Sequence, residues 1–218
     1  MPIGPIPSRY QAEAFLQEAA VRNPGPWVAH SRLVAQAAET IAAFIPDLDP
    51  ESAYILGLLH DIGRREGIGG MRHVIDGYRF LISGGYDGAA RICLTHSYPI
   101  KNAASGSAVW DGTQEEYAFV QAYLEGIDYN LYDSLIQLCD GLTMATGYCL
   151  IEKRMVDVAL RYGINEHSVS KWRAFLEVKD EFDRLAGKPV YSLLPGIVEH
   201  TFGFQPDPGE ALGKWTRA

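Results

Sequence analysis

The segment Ala53-Tyr54-Ile55-Leu56-Gly57-Leu58-Leu59 is apolar on every face, and it runs directly into His60-Asp61. Asp49 supplies a helix cap before it, Pro50 suits the first helical position, and Glu51 lies beside the positive end of the dipole. A helix apolar all round must be buried. It ends in His60-Asp61-Ile62-Gly63, with Gly63 expected as the helix-ending residue. Burying an ionisable group without a partner is costly, so the His-Asp pair needs something to coordinate. A divalent cation is one answer, and two adjacent ligands can reach one ion from a helix end.

The other elements also read as helices. Ser8 caps a helix over Arg9 to Val21, with Ala14, Phe15, Ala19 and Ala20 on one face, and Asn23-Pro24-Gly25-Pro26 stops it. A second starts near Trp27 or His30 and reaches Phe44, with an apolar stripe of Val34, Ala37, Ala38, Ile41 and Ala42. Further helices are expected over Met71 to Ile82, Asp87 to His96, Leu131 to Met144, Gly147 to Arg161 and Ser168 to Leu185. Thr113 and Glu116 form a capping box for another. No strand alternation is long enough to compete, and Val190 to Leu194 is too short to assign. The fold class is therefore all-α, a single-domain helical bundle. Residues 1–26 form an N-terminal helix and a Pro/Gly linker packing on the core, 27–194 the core with its C-terminal helices, and 195–218 a loosely packed tail.

Composition narrows the functional classes. The net charge of -8 lacks the attraction that non-specific nucleic-acid binding relies on, but leaves room for a small phosphate held by local cations. The three cysteines, Cys93, Cys139 and Cys149, have no CxxC spacing and sit in apolar stretches, which points to reduced, buried thiols. MPIGPIPSRY has no basic segment followed by an apolar one, and no apolar run approaches the ~20 residues of a membrane span. The expected setting is cytoplasmic, with no membrane partner; oligomerisation is left open.

The pair His60-Asp61 cannot complete a coordination shell alone. His30, at the start of an earlier helix, and Asp140, directly after the apolar run Leu135-Ile136-Gln137-Leu138-Cys139, are the candidate additions. The order His30, His60-Asp61, Asp140, with His60-Asp61-Ile62-Gly63 matching an HDIG signature, resembles the HD-domain superfamily of metal-dependent phosphohydrolases over about residues 27 to 160. The resemblance implies an HD-type helical core in which those four residues bind one metal. In some branches two further histidines hold a second ion, and His73 and His96 occupy the corresponding interval, with Asp61 bridging.

Such ligands suit iron, manganese, cobalt, nickel or zinc. Two ions about 4 Å apart lower the pKa of a shared water and steady in-line displacement at phosphorus. The resemblance thus implies a metal-bound hydroxide acting on a phosphate ester or anhydride of a nucleotide or other small phosphorylated metabolite. Asp61 and Arg64 are the candidate catalytic residues. Arg64, Arg65, Lys101, Lys153 and Arg154 are the candidate phosphate-binding cations. His167 and His200 lack such context and read as solvated or structural, while Trp27, Tyr54 and Tyr148 are core candidates. Two alternatives accompany this reading. One is a di-iron oxygenase on the same ligand set; the other is a non-catalytic metal-binding sensor module.

Overall fold

The computed structural model describes residues 3–67 and 69–204. Its first helix, α1 (Arg9–Arg22), starts at a reciprocal cap between Ser8 and Gln11 and buries Ala12, Leu16 and Ala19. That face is rotated from the expected one, so Ala14 is exposed. α2 (Pro26–Ala42) begins on a proline, and α3 (Pro50–Leu59) begins at Asp49, whose carboxylate accepts from Ser52 N. All of Ala53 to Leu59 is buried, as an all-apolar helix requires. α2 and α3 lie so close that a Cβ on Gly57 would come within 2.8 Å of Ala35 Cα. Small residues at this crossing bring His30 and His60 to the same level of the bundle.

The chain then makes a 3-10 turn over Ile62–Glu66. α4 (His73–Ser83) and α5 (Asp87–Thr95) follow as an antiparallel pair, then α6 (Gln114–Gly126) behind its Thr113–Glu116 capping box, and α7 (Leu131–Gly141) behind Asn130. Gly63 does not end a helix through a left-handed conformation. A Cβ there would fall 1.9 Å from His73 O and 2.4 Å from Gly77 N, so the glycine lets α4 dock its first turn on the 3-10 segment. A buried polar network joins α5 to α7. Asp133, fully buried, accepts from Arg91 at 2.6 Å and from Thr95 Oγ1 at 2.8 Å, and Gln137 Nε2 donates to Thr95 O at 3.0 Å. This clamp fixes α5 against α7, the helices whose C-terminal ends carry His96 and Asp140.

The expected helices Leu131 to Met144 and Gly147 to Arg161 are both shorter than predicted. A tight antiparallel hairpin separates them, β1 (Thr143–Met144) and β2 (Gly147–Tyr148), and α8 starts only at Ile151 (Ile151–Tyr162). Gly147 has φ +148 and its Cα lies against the His200 ring, a site open to glycine alone. α9 (Ser168–Ala186) crosses back over α7 and ends at Gly187 in the left-handed conformation. Residues 190–193 form a 3-10 turn.

The start of the region read as a loose tail is ordered. α10 (Ile197–Phe202) buries Ile197, and Thr201 Oγ1 accepts from Leu150 N at 3.0 Å. Residues 205–218 lie outside the described part of the chain. One apolar cluster unites α1, α2, α3, α5 and α7, and a smaller one lies under α6 around Val74, Leu94, Tyr98, Val120 and Leu124. The three cysteines are buried and free. Among the described residues no helix is long and apolar enough to cross a membrane.

Candidate metal centre

Six side chains from five segments converge at one end of the bundle. His30 comes from the second turn of α2, and His60 caps the C-terminus of α3 with Asp61 next to it. His73 is the first residue of α4, His96 caps the C-terminus of α5, and Asp140 is in the last turn of α7. Helix ends suit this work, because side chains there project beyond the barrel of the helix into a shared space. Imidazole centroids lie 5.3 Å apart for His30–His60, 4.9 Å for His60–His96 and 5.5 Å for His73–His96.

Hydrogen bonds set the tautomers. His60 Nδ1 lies 2.7 Å from Gly57 O, His73 Nδ1 2.7 Å from Gly70 O, and His96 Nδ1 3.0 Å from Cys93 O. A carbonyl oxygen only accepts, so each Nδ1 carries the proton and each Nε2 turns its lone pair inward. Asp61 sits among those lone pairs. Its Oδ1 is 3.2 Å from His73 Nε2 and 3.5 Å from His96 Nε2, and its Oδ2 is 3.8 Å from His60 Nε2. On the other side, Asp140 Oδ1 lies 2.9 Å from His30 Nε2.

The polar accounting identifies what the centre lacks. His60 Nε2, Asp61 Oδ1 and His73 Nε2 are buried with no hydrogen-bond partner. Buried polar atoms are rarely left unpaired, and three acceptors aimed at one space are satisfied together by a cation. Two triads share Asp61: His30, His60 and Asp61, and Asp61, His73 and His96, each with its donor atoms within 4.8 Å of one another. Asp140, expected as a fourth ligand, belongs to neither triad and touches the first only through its hydrogen bond with His30. The donor set of imidazoles and carboxylates fits a divalent transition metal.

The electrostatics agree. Burial pushes His60 down to about 3 and lowers His73, so both rings are the neutral species that binds metal. Burial alone would raise Asp61. The Arg64 guanidinium, 2.6 Å away, and the surrounding imidazoles outweigh it and hold the carboxyl well below the usual range. Asp140 behaves likewise, with His30 and Arg154 overcoming burial.

The centre forms the floor of a cavity of about 420 Å³, within the range of small-molecule sites. Of the candidate phosphate-binding cations, Arg64 and Arg154 line it. Arg154 lies 3.7 Å from Asp140 and 3.1 Å from Asp157. The other three do not line it. Arg65 turns to Glu18 at 2.6 Å and stacks on Phe80, Lys101 pairs with Asp128 at 3.2 Å, and Lys153 donates to Thr201 O at 2.8 Å. Adjacent residues point about 100° apart in the α-helix that carries Arg154 and about 120° apart in the 3-10 turn that carries Arg64, so these two face the cavity while their neighbours turn away. Trp27 also lines the cavity; Tyr54 and Tyr148 are core residues.

Sequence reading missed the opposite wall, formed by Asp157 and Arg161 of α8 and by Lys171, Trp172 and Phe175 of α9. The spacing 154, 157, 161 is a helical face, but that pattern equally describes a solvated surface. His167 and His200 lie away from the centre, His167 near Glu166 at 3.7 Å and His200 against Gly147.

No curated protein and no solved structure matches the chain significantly. A family model described as the HD domain matches residues 27–145, which begin just before His30 and end just after Asp140. With more than half its length in that match, the chain belongs to the HD-domain family.

Proposed function

We propose that this protein is a metal-dependent phosphohydrolase that cleaves a phosphate ester or anhydride of a small metabolite, with a nucleotide as the leading candidate. The observation that carries the reading is Asp61, a buried carboxylate common to two triads whose inward acceptors have no protein partner. A bound divalent cation would supply Lewis acidity and a water of lowered pKa.

The chain's own residues account for the rest. Main-chain carbonyls of Gly57, Gly70 and Cys93 orient the imidazoles, and Arg64 keeps Asp61 ionised. Arg64 and Arg154 place guanidinium groups on the cavity, where their planar forks suit phosphoryl oxygens. Trp27, Trp172 and Phe175 offer flat apolar surface for the remainder of the substrate. The guanidinium groups favour phosphoryl chemistry over the oxygenase alternative, and the intact ligand set argues against a non-catalytic sensor.

The test is elemental analysis of the purified protein, followed by phosphate release from a panel of mono-, di- and cyclic phosphates with manganese, cobalt or iron loaded. Release that disappears in Asp61→Asn is the expected result. A fully metallated protein inert toward the whole panel would overturn the reading, and oxygen uptake by an iron-loaded sample would replace it with the oxygenase alternative.

A further inference from the structure

The cations lining the cavity are not equivalent. Arg64 is paired with Asp61, Arg154 with Asp157 and Asp140, and Arg161 with Asp157 at 2.6 Å. Lys171 lines the same cavity and is only 7% exposed, yet no carboxylate lies within 4.0 Å of its Nζ among the described residues. Its ammonium donates to Ser105 O at 3.0 Å and to Ser107 Oγ at 2.8 Å. An ammonium has three N–H groups, so one remains beyond these two bonds, and Lys171 lies where the cavity meets a second, smaller one that shares Ser107, Tyr162 and Trp172 with it. Both acceptors are neutral, and Asp140, which is not within ion-pair distance, offsets the buried positive charge only in part. Burial accordingly pulls Lys171 down to about 8.

The position is close to the metal centre. Phe175, four residues further along α9, packs against Gly141, the neighbour of Asp140. One helical turn, about 5.4 Å, separates Lys171 from that contact, and a lysine side chain spans such a distance. Residue 171 also lies outside the matched segment 27–145. A charge here therefore belongs to what this chain adds to the HD core.

We propose that Lys171 is a substrate-binding residue, donating its third N–H to an anionic oxygen of the phosphoryl group held at the metal centre. The proposal rests on the phosphohydrolase reading for its ligand. The bound anion supplies the direct ion pair that the lysine lacks, and α9 thereby helps to select dianionic over neutral ligands.

The experiment compares the metal-loaded wild type with K171Q, which keeps a donor but no charge, and K171R, which keeps the charge. Inorganic phosphate binding is measured by calorimetry, and KM and kcat with para-nitrophenyl phosphate. K171Q is expected to weaken phosphate binding and raise KM at least about tenfold, as loss of a charge-assisted hydrogen bond does, with a smaller change in kcat and with K171R near wild type.

If the wild type hydrolyses nothing but K171Q still loses phosphate affinity, the hydrolase reading falls and this one stands. If the wild type turns over and K171Q keeps its KM and phosphate affinity, the reverse holds. A K171R as defective as K171Q would show that Lys171 only braces the 105–107 wall, and would overturn the proposal, as would absence of phosphate binding to the wild type. Should K171Q not fold, the structure of the metal-loaded wild type with inorganic phosphate decides: a phosphate seated beyond about 3.5 Å from Nζ overturns it.

Discussion

Replacing Gly63 with alanine tests how the second triad is built. A Cβ at this position would sit 1.9 Å from His73 O and 2.4 Å from Gly77 N, both backbone atoms that cannot rotate away. Ordinary contact begins near 3.4 Å. The first turn of α4 would therefore have to retreat by roughly 1.5 Å from the 3-10 segment, far more than the ~0.5 Å to which a functional site is held. His73 is the first residue of that turn, and its Nε2 is 3.2 Å from Asp61 Oδ1. Metal–ligand distances tolerate only about 0.2 Å, so G63A should lose the ion that depends on His73 while the His30 triad survives. Overpacking against backbone should cost about 3 kcal/mol, which lowers Tm by roughly 6–12 °C for a chain of this size.

The assay is thermal melting of metal-free protein together with ions bound per chain. Gly126 is the control, since it ends α6 with no atom within 4 Å of its Cβ position, and G126A should melt at or slightly above wild type. If G63A melts within about 2 °C of wild type and keeps its full metal content, the docking account of this glycine is refuted.

Other substitutions separate the metal site from the scaffold. Asp61→Asn removes the carboxylate shared by both triads and should weaken metal binding at least about tenfold, measured by competition with a chromogenic chelator; unchanged affinity would contradict the shared-ligand geometry. Lys171→Met should stabilise the metal-free fold near pH 7, because the fall from 10.5 to about 8 in a buried group corresponds to about 3 kcal/mol against the charged form. The sign follows from proton counts. Between pH 8 and 10.5 the unfolded chain binds more protons at this lysine, so the wild type gains stability as pH rises through that window, and K171M should lack that gain in urea titrations. Thr113→Ala breaks the reciprocal cap of α6 by removing Thr113 Oγ1, which accepts from Glu116 N at 3.2 Å, and should cost about 1 kcal/mol while metal content stays unchanged.

The sequence by itself determined the helical class, the burial of Ala53 to Leu59 and His60-Asp61 as the ligand pair, while His73 and His96 entered only through the resemblance to the HD-domain superfamily. The first three follow from local properties: apolar periodicity, capping side chains, and the cost of ending a buried helix in His60-Asp61. It could also anticipate that His73 opens a helix and His96 closes one, because caps and breakers are local signals.

Tertiary structure decided which cations face the cavity. Arg64 and Arg65 are indistinguishable as text, and so are Lys153 and Arg154, but a rotation of about 100–120° per residue sends one of each pair inward and the other to a partner far away in sequence. The role of Gly63 was misread for the same reason, since the backbone it must clear comes from α4. The hairpin at residues 143–148 places Gly147 against the ring of His200, a contact across more than fifty residues that no local pattern announces. Lys171 was invisible in the sequence: what singles it out is a buried ammonium with no direct ion pair among the described residues, and that depends on how helices distant along the chain pack together.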